Sequence, residues 1–416
     1  MSELQSLIRD RIPGRSLARD FYLDGEIFDE DLHRVFHTSW LFAGHSCEVS
    51  RSGDYFTFEV GDESLVILRD KAEDVRAFFN VCRHRGSKLA TSPCGHAKAL
   101  VCPYHQWVYA LDGSLVNARL MGDDFDPDKY QLRSAEVREV AGLIFVCLTP
   151  DETTPDFDHF FQALEPQLKP HGLERSKIIA RHHYEVKANW KTLIENNREC
   201  YHCRVSHPEF CMSNYDLGLP GDPRSDAGYD AVLDNEYYRW RGLGLSPREV
   251  SFPNGHPYRI SRLPLKEGYI TESLDGSRVA PLMGDLTDEN AGSLRIITLP
   301  NFWAHANCDY AMTTRLTPVN ASLTKVEVTF LVDQNAIEGK DYDPERVAHV
   351  WKATSEQDWE LCENNYAGIK SIAYEPGPFS ELTEGSVESF LQWYLDLVAD
   401  EQSVFQAQPY EFSASA

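Results

Sequence analysis

Residues 80–107 read NVCRHRGSKLATSPCGHAKALVCPYHQW, and the fold of the first half of the chain turns on them. One residue separates Cys82 from His84; seventeen residues further on, two separate Cys102 from His105. Each half offers one thiolate and one imidazole beside a turn former, Gly86 or Pro103. Two such loops facing each other make a Cys2His2 set. Zinc accepts that set, but its sites usually group the two Cys together and the two His together. Mixed loops suit instead a 2Fe-2S cluster with two Cys on one iron and two His on the other. Cys94 and His96 lie between the loops, fit neither pair and read as structural.

Working outward, short alternating runs such as DYFTFEV and SLVILRD, cut by Gly and Pro, predict an all-β domain over 41–149. Between Val75 and Leu111 there is no acid, while Arg76, Arg83, Arg85, Lys88 and Lys98 are present. That local positive face either docks an electron donor of negative surface or offsets the charge of a cluster. Upstream, Leu32, Val35, Phe36 and Trp40 at helical spacing predict a helical arm over 1–40. TPDETTPDFD, 149–158, reads as a linker. A second domain then spans 150–416. It opens with the strand IIARHHYEV and a helix from about Asn189. An excursion of loops and short strands without clear periodicity follows over 211–293, a candidate lid. Strand-like runs LRIITLP, YAMTTRLTP and KVEVTFLVD come next, then a long helix from Pro344. The fold class is α+β.

Composition excludes some functions. A formal charge of −25 argues against nucleic-acid binding and more simply serves solubility. No apolar run has the length of a membrane span, and MSELQSLIRDRIPGRS lacks the apolar core of a secretory signal, so a cytoplasmic protein is expected. Ten Cys in such a chain point to thiols or metal ligands rather than a disulfide framework.

A second dense stretch, ENNRECYHCRVSHPE, spans 195–209. On a helix from Asn189, at about 100° per residue, Glu199 and His202 share a face. Pro208 disfavours helix at His207, so the helix should end there and let His207 turn back toward His202. A zinc knuckle using Cys200 and Cys203 lacks a second Cys/His pair nearby, and both Cys would point away from His207. Two His and one carboxylate make the facial triad of non-haem Fe(II) oxygenases. The long helix opens with Asp343 as cap and Pro344 in its first turn, and Gly368 is placed to end it. Its apolar stripe runs Val347, Trp351, Thr354, position 358, Leu361 and Asn365. Position 358 is Asp, and an acid in a buried stripe needs a partner such as a metal. Asp358 is the expected third ligand.

Both motifs resemble those of Rieske non-haem iron oxygenase α subunits. Cys82, His84, Cys102 and His105, with the CPYHQW ending, look like the Rieske 2Fe-2S loops. Glu199, His202 and His207 match the mononuclear-iron pattern of an acid, two residues, His, four residues, His. The resemblance covers essentially the whole chain. It implies a helix-grip catalytic domain, an antiparallel sheet over a long helix. It also implies that Glu199 carries electrons from the cluster of a neighbouring subunit, through the partner subunit's His105, within a homotrimer. O2 would be the co-substrate. The chain shows no flavin or nicotinamide fingerprint, so electrons from NAD(P)H imply a separate flavin/ferredoxin-type reductase.

ENNRECYHC, TLPNFWAHANCDYAMTTRLTP, EQDWELCENNYAGIKS and YEPGPFSELTEGSVESFLQWY resemble one branch in particular, the oxygenases of quaternary ammonium compounds: glycine betaine, proline betaine, choline and carnitine. The betaine demethylases are the nearest likeness. That implies oxidation of an N-methyl carbon with release of formaldehyde. Choline- or carnitine-type hydroxylation without demethylation, aromatic-ring dihydroxylation, a non-enzymatic electron carrier and a zinc scaffold are the rival readings. A quaternary ammonium donates no hydrogen bond and is recognised by aromatic faces and anions. Strand alternation places Trp303, His305 and Cys308 or Asp309 near one face. These and Phe210 are the expected pocket residues.

Overall fold

A computed structural model describes residues 3–149, 154–246 and 249–399; residues 150–153 of the linker expected over 149–158 fall in that first gap. The chain divides into two compact units, Phe36–Phe157 and Met1–Val35 with Asp158–Ala416.

The first unit is all β among the described residues apart from short helical turns. Its strands are β1 (Leu41–His45), β2 (Asp54–Val60), β3 (Glu63–Arg69), β4 (Val75–Phe79), β5 (Cys94–His96), β6 (Leu100–Val101), β7 (Val108–Tyr109), β8 (Leu115–Asn117), β9 (Glu136–Val140) and β10 (Leu143–Cys147). They form three antiparallel sheets ordered β1-β10-β9, β4-β3-β2-β5 and β6-β7-β8. The alternation in DYFTFEV works as a half-buried strand should: Phe56, Phe58 and Val60 are buried, while Tyr55, Thr57 and Glu59 are not. Val66, Phe78, Trp107 and Tyr109 pack with Cys82 and Cys102 in one apolar cluster. The two thiols are therefore fixed by the core itself.

The second unit is built on one seven-stranded antiparallel sheet. Its strands are β11 (Ser176–Val186), β12 (Val250–Ser251), β13 (Tyr258–Leu263), β14 (Ser293–Thr298), β15 (Phe302–Ala306), β16 (Ala311–Asn320) and β17 (Leu323–Asp333), ordered β11-β17-β16-β15-β14-β13-β12. The long helix Pro344–Ile369 starts where Asp343 accepts from Glu345 N at 3.1 Å. It packs against the helix Trp190–Asn197, Cys362 Sγ reaching Thr192 O at 3.7 Å, and Trp303 lies 6.3 Å from Trp359. This is a sheet over a helix, as the helix-grip expectation has it.

Four expectations need correction. First, the N-terminal helices Glu3–Asp10, Asp20–Leu23 and Gly25–Asp31 group with the second unit, and that grouping ends at Val35 rather than residue 40. The reason is Asp31, fully buried, which accepts from Trp190 Nε1 at 2.9 Å and Tyr394 Oη at 2.8 Å and pairs with the equally buried Lys191. Burial works against charge in both partners, raising the Asp31 carboxyl and lowering the Lys191 amine. Lys191→Met removes one partner and strands the other, so it should cost about 3–5 kcal/mol in chemical unfolding.

Second, the helix from Asn189 does not run to His207. It ends at Asn197, and two short helical turns, Cys203–Ser206 and Phe210–Ser213, follow. Glu199 breaks the ladder by taking the Tyr201 N–H with its own carboxylate. Third, 211–293 is not one excursion. It contains the helix Tyr229–Gly242, and the short strands expected there, β12 and β13, belong to the main sheet rather than to a separate excursion. The helix escaped notice because Tyr229, Leu233 and Trp240 are its buried residues, too few for a stripe. Fourth, the buried face of the long helix drifts through Trp359, Cys362 and Tyr366, whereas Asn365 is exposed. A strict repeat read over several turns loses register with a 3.6-residue helix.

Candidate metal centres and active site

Two loops in the first unit repeat one hydrogen-bond pattern. Gly86 N donates to Cys82 O at 3.0 Å and Cys82 N to Ser87 O at 2.9 Å. Gln106 N donates to Cys102 O at 3.0 Å and Cys102 N to Trp107 O at 2.8 Å. Gly86 and Gln106 both take positive φ, 82° and 58°, so each loop folds back on its Cys at the same position. Both Cys are buried, while His84 is exposed and His105 half-buried. The His84 and His105 rings lie 4.6 Å apart, and His84 stacks on Trp107 at 4.8 Å. Tyr109 Oη lies 3.4 Å from Cys82 Sγ and accepts the Arg83 N–H at 3.0 Å.

These residues suit a 2Fe-2S cluster: two thiols meet at the core side, two imidazoles at the solvent side. The buried Nδ1 of His105 has no hydrogen-bond partner, which a metal would supply. The positive face thins on inspection. Arg76 is engaged by Asp70 at 2.8 Å and Asp74 at 3.1 Å, and Lys88 by Glu59 at 3.2 Å. Arg85 stays beside the loops, over the Tyr104 ring at 5.0 Å.

In the second unit His202 Nε2 lies 3.3 Å and His207 Nε2 3.0 Å from Asp358 Oδ1. The buried His207 Nε2 and Asp358 Oδ1 have no hydrogen-bond partner. Three ligand atoms thus converge, two of them otherwise unsatisfied, and the donor set suits Fe(II). Each imidazole is oriented through its other nitrogen: His202 Nδ1 to Glu199 Oε1 at 2.6 Å, His207 Nδ1 to Gln357 Oε1 at 2.9 Å. Gln357 is itself held by donating to Glu209 Oε2 at 2.9 Å. Such outer partners fix the ring tautomer. The sequence reading missed Gln357 and Glu209, although their adjacency to Asp358 and Phe210 was a usable sign. Burial disfavours a charged His202, but the adjoining carboxylates of Asp358 and Glu199 outweigh it and lift the ring to about 9.

Cys203 departs from expectation. Its sulfur lies within 4.8 Å of ligand atoms of His202 and His207, not turned away from them. It is joined to Cys200 in a disulfide, which leaves no thiolate to offer. Asp358, in contact with both imidazoles, is the better third ligand.

His202, His207 and Asp358 open into a cavity of about 1590 Å³ that Phe210, Trp303, His305 and Trp351 also line. Phe210 meets Trp351 at 5.6 Å and His305 meets Trp351 at 4.2 Å. Asp309 is not in this wall. β15 ends at Ala306, and a turn with Asn307 N on Tyr310 O sends Asp309 into the core, where it accepts from Thr271 Oγ1 at 2.7 Å and Val279 N at 2.6 Å. Alternation cannot be carried past a strand end. Behind the wall sits Glu272, fully buried, receiving Trp351 Nε1, Asn307 Nδ2, His305 Nδ1 and Ser293 Oγ at 3.1–3.2 Å. Burial would raise its carboxyl, but His305 and the other donors hold it down at about 2. Nothing in the sequence marked it.

The comparisons with known proteins agree with this architecture. Residues 39–133 match the family model of the Rieske [2Fe-2S] domain, and 173–400 that of the ring hydroxylating alpha subunit catalytic domain. The chain is 39% identical over 392 residues, 94% of its length and 87% of the relative's, to the glycine betaine monooxygenase oxygenase subunit of Chromohalobacter salexigens. It is 37% identical to the carnitine monooxygenase oxygenase subunit of Escherichia coli K12 over 199 residues, 46% of this chain and 52% of that one. A solved quaternary ammonium Rieske monooxygenase in complex with L-carnitine shares the fold, with a TM-score of 0.70 at 22% identity over 95% of this chain and 99% of that one. The chain belongs to the family of Rieske ring-hydroxylating oxygenase α subunits. It is an oxidoreductase with a Rieske 2Fe-2S domain and a mononuclear-iron catalytic domain. Among the described residues no helix is long and apolar enough to cross a membrane.

Proposed function

We propose that this chain is a monooxygenase that oxidises an N-methyl group of glycine betaine or proline betaine, releasing formaldehyde and the demethylated amine. The observation that carries this reading is the convergence of His202, His207 and Asp358 at an aromatic-lined cavity, in a chain 39% identical to a glycine betaine monooxygenase oxygenase subunit. Cys82, His84, Cys102 and His105 would hold the cluster, and His202, His207 and Asp358 would hold Fe(II). When bound, the two centres supply O2 reduction one electron at a time and insertion of one oxygen atom into a C–H bond. The chain's own residues do the rest. Phe210, Trp303 and Trp351 offer ring faces to the ammonium. Glu199 and Gln357 keep each imidazole's Nε2 turned to the metal. Overall, O2, two electrons and two protons convert the methyl to a hydroxymethyl group and one water. The hydroxymethyl ammonium then loses formaldehyde and a proton, leaving the tertiary amine. Electrons come from NAD(P)H through a separate reductase, and Glu199 relays them between subunits of a homotrimer in the cytoplasm.

Formaldehyde release tests this directly, using iron-loaded protein with a ferredoxin-type reductase, NADH and O2. Formaldehyde equal to NADH consumed, with glycine betaine or proline betaine, is the expected result. NADH consumption with choline or carnitine and no formaldehyde would replace demethylation by plain hydroxylation.

Two further outcomes concern the metal. Gln357→Ala frees the His207 ring to rotate and should weaken Fe(II) binding about 10- to 100-fold by competition with a chelator. Iron uptake should also be proton-linked. His202 is raised to about 9 in the metal-free protein, so at neutral pH Fe(II) must displace its proton. Affinity should therefore rise as pH rises toward that value. Calorimetry in buffers of different ionisation enthalpy reads the released proton.

A further inference from the structure

Arg295 lies on β14 directly opposite His305 and lines the cavity. Its guanidinium sits over the Phe210 ring at 5.5 Å, and Nη2 donates to Asn214 Oδ1 at 2.6 Å. Nε is buried and has no hydrogen-bond partner. The carboxylate whose charge it feels, Glu272, already receives His305, Asn307, Trp351 and Ser293. The guanidinium itself is only half-buried where it lines the cavity wall, and with Nη2 alone engaged it offers an anion the charge and donors that Asn214 leaves unfilled. Phe210 ties the arginine to the aromatic surface: the ring that carries the cation also packs on Trp351, which meets His305.

We infer that Arg295 is the specificity residue of this site, binding the carboxylate of a zwitterionic quaternary ammonium substrate while the adjoining aromatic wall holds its ammonium. The inference rests on the N-methyl oxidation reading and narrows it. A single methylene separates ammonium from carboxylate in glycine betaine, so both must bind to adjoining surfaces, and Arg295 and Phe210 adjoin. The wall is dipolar in the matching sense, with the Glu272 anion behind Trp351 and His305 and the Arg295 cation beside them. Choline has no group for Arg295 and brings a second cation to it. Two other arginines line the same cavity. Arg259 is engaged by Glu249 at 2.9 Å. Arg198 also has unpartnered nitrogens, Nη1 and Nη2, but its ring contact is Phe252 and its Nε reaches Ser386 O, so it is the second arginine the test must compare.

The test is anaerobic calorimetric titration of the cluster- and iron-loaded protein, so that binding is read without turnover. Glycine betaine should bind the unaltered protein at least about 30-fold more tightly than choline. Arg295→Gln should weaken betaine by a similar factor and leave choline unchanged or improved. Arg295→Lys keeps the charge, loses the planar fork and should fall between; it also serves if the Gln variant does not fold. In turnover the loss should appear in KM rather than kcat. Unchanged betaine affinity in Arg295→Gln, or the loss appearing in Arg198→Gln instead, overturns the assignment and leaves the demethylation reading standing. Failure of the unaltered protein to bind glycine betaine, proline betaine or choline overturns both.

Discussion

Asp358→Ala should leave a red-brown protein that releases no formaldehyde. The carboxylate is the point on which both imidazoles converge, at 3.3 and 3.0 Å, and it comes from the long helix while they come from the loop before Phe210. Without it two neutral ligands remain, and Fe(II) loses its only anionic donor in the set. Removing an outer-shell partner alone costs about 10- to 100-fold in metal affinity, and a direct ligand should cost more. Activity should therefore drop by more than about 100-fold, with iron content falling alongside it. The 2Fe-2S absorbance should persist, because the four cluster residues belong to the separate unit Phe36–Phe157. A non-enzymatic electron carrier would behave oppositely: Asp358→Ala would alter nothing measurable. Loss of the visible absorbance together with the iron would mean that the substitution unfolds the chain.

The two metal motifs were legible because their information is local. Cys82 and His84 sit in one turn, Cys102 and His105 in another, and the strands around them announce themselves by alternation. Asp358 could be placed beside the two imidazoles from afar because a helix keeps register for about four turns from its cap at Asp343. The same reasoning failed where register failed: at Leu361 and Asn365, where the stripe had drifted, and at Asp309, beyond the end of β15. Glu199 and His202 were paired on a helix that stops at Asn197, yet they meet at 2.6 Å. The contact survives because a tight turn also brings residues three apart together. Glu272 and Arg295 were unreadable for a different reason. Their meaning lies in burial and in partners far off in sequence, such as Trp351 and Asn307 for Glu272, and neither stands in a recognisable pattern.

Glu199→Gln should produce the sharper separation of effects. Glu199 Oε1 lies 2.6 Å from His202 Nδ1, and its other oxygen accepts the Tyr201 N–H. A glutamine carbonyl can keep accepting from His202, so ring orientation and Fe(II) content should hold, as should the cluster. What disappears is the charge. In the proposed relay the carboxylate gives the proton that accompanies the electron somewhere to sit. Positioned proton-transfer groups contribute about 10²- to 10⁴-fold, so coupled turnover should slow by at least about 10²-fold while substrate affinity is unchanged. Stopped-flow mixing of reduced protein with O2 and betaine should show the cluster absorbance returning slowly in the variant. A merely structural Glu199 predicts the reverse pattern, with iron lost and cluster reoxidation rapid in whatever sites stay occupied. Near-normal turnover with both metals bound would remove Glu199 from the electron path and leave it only the task of orienting His202.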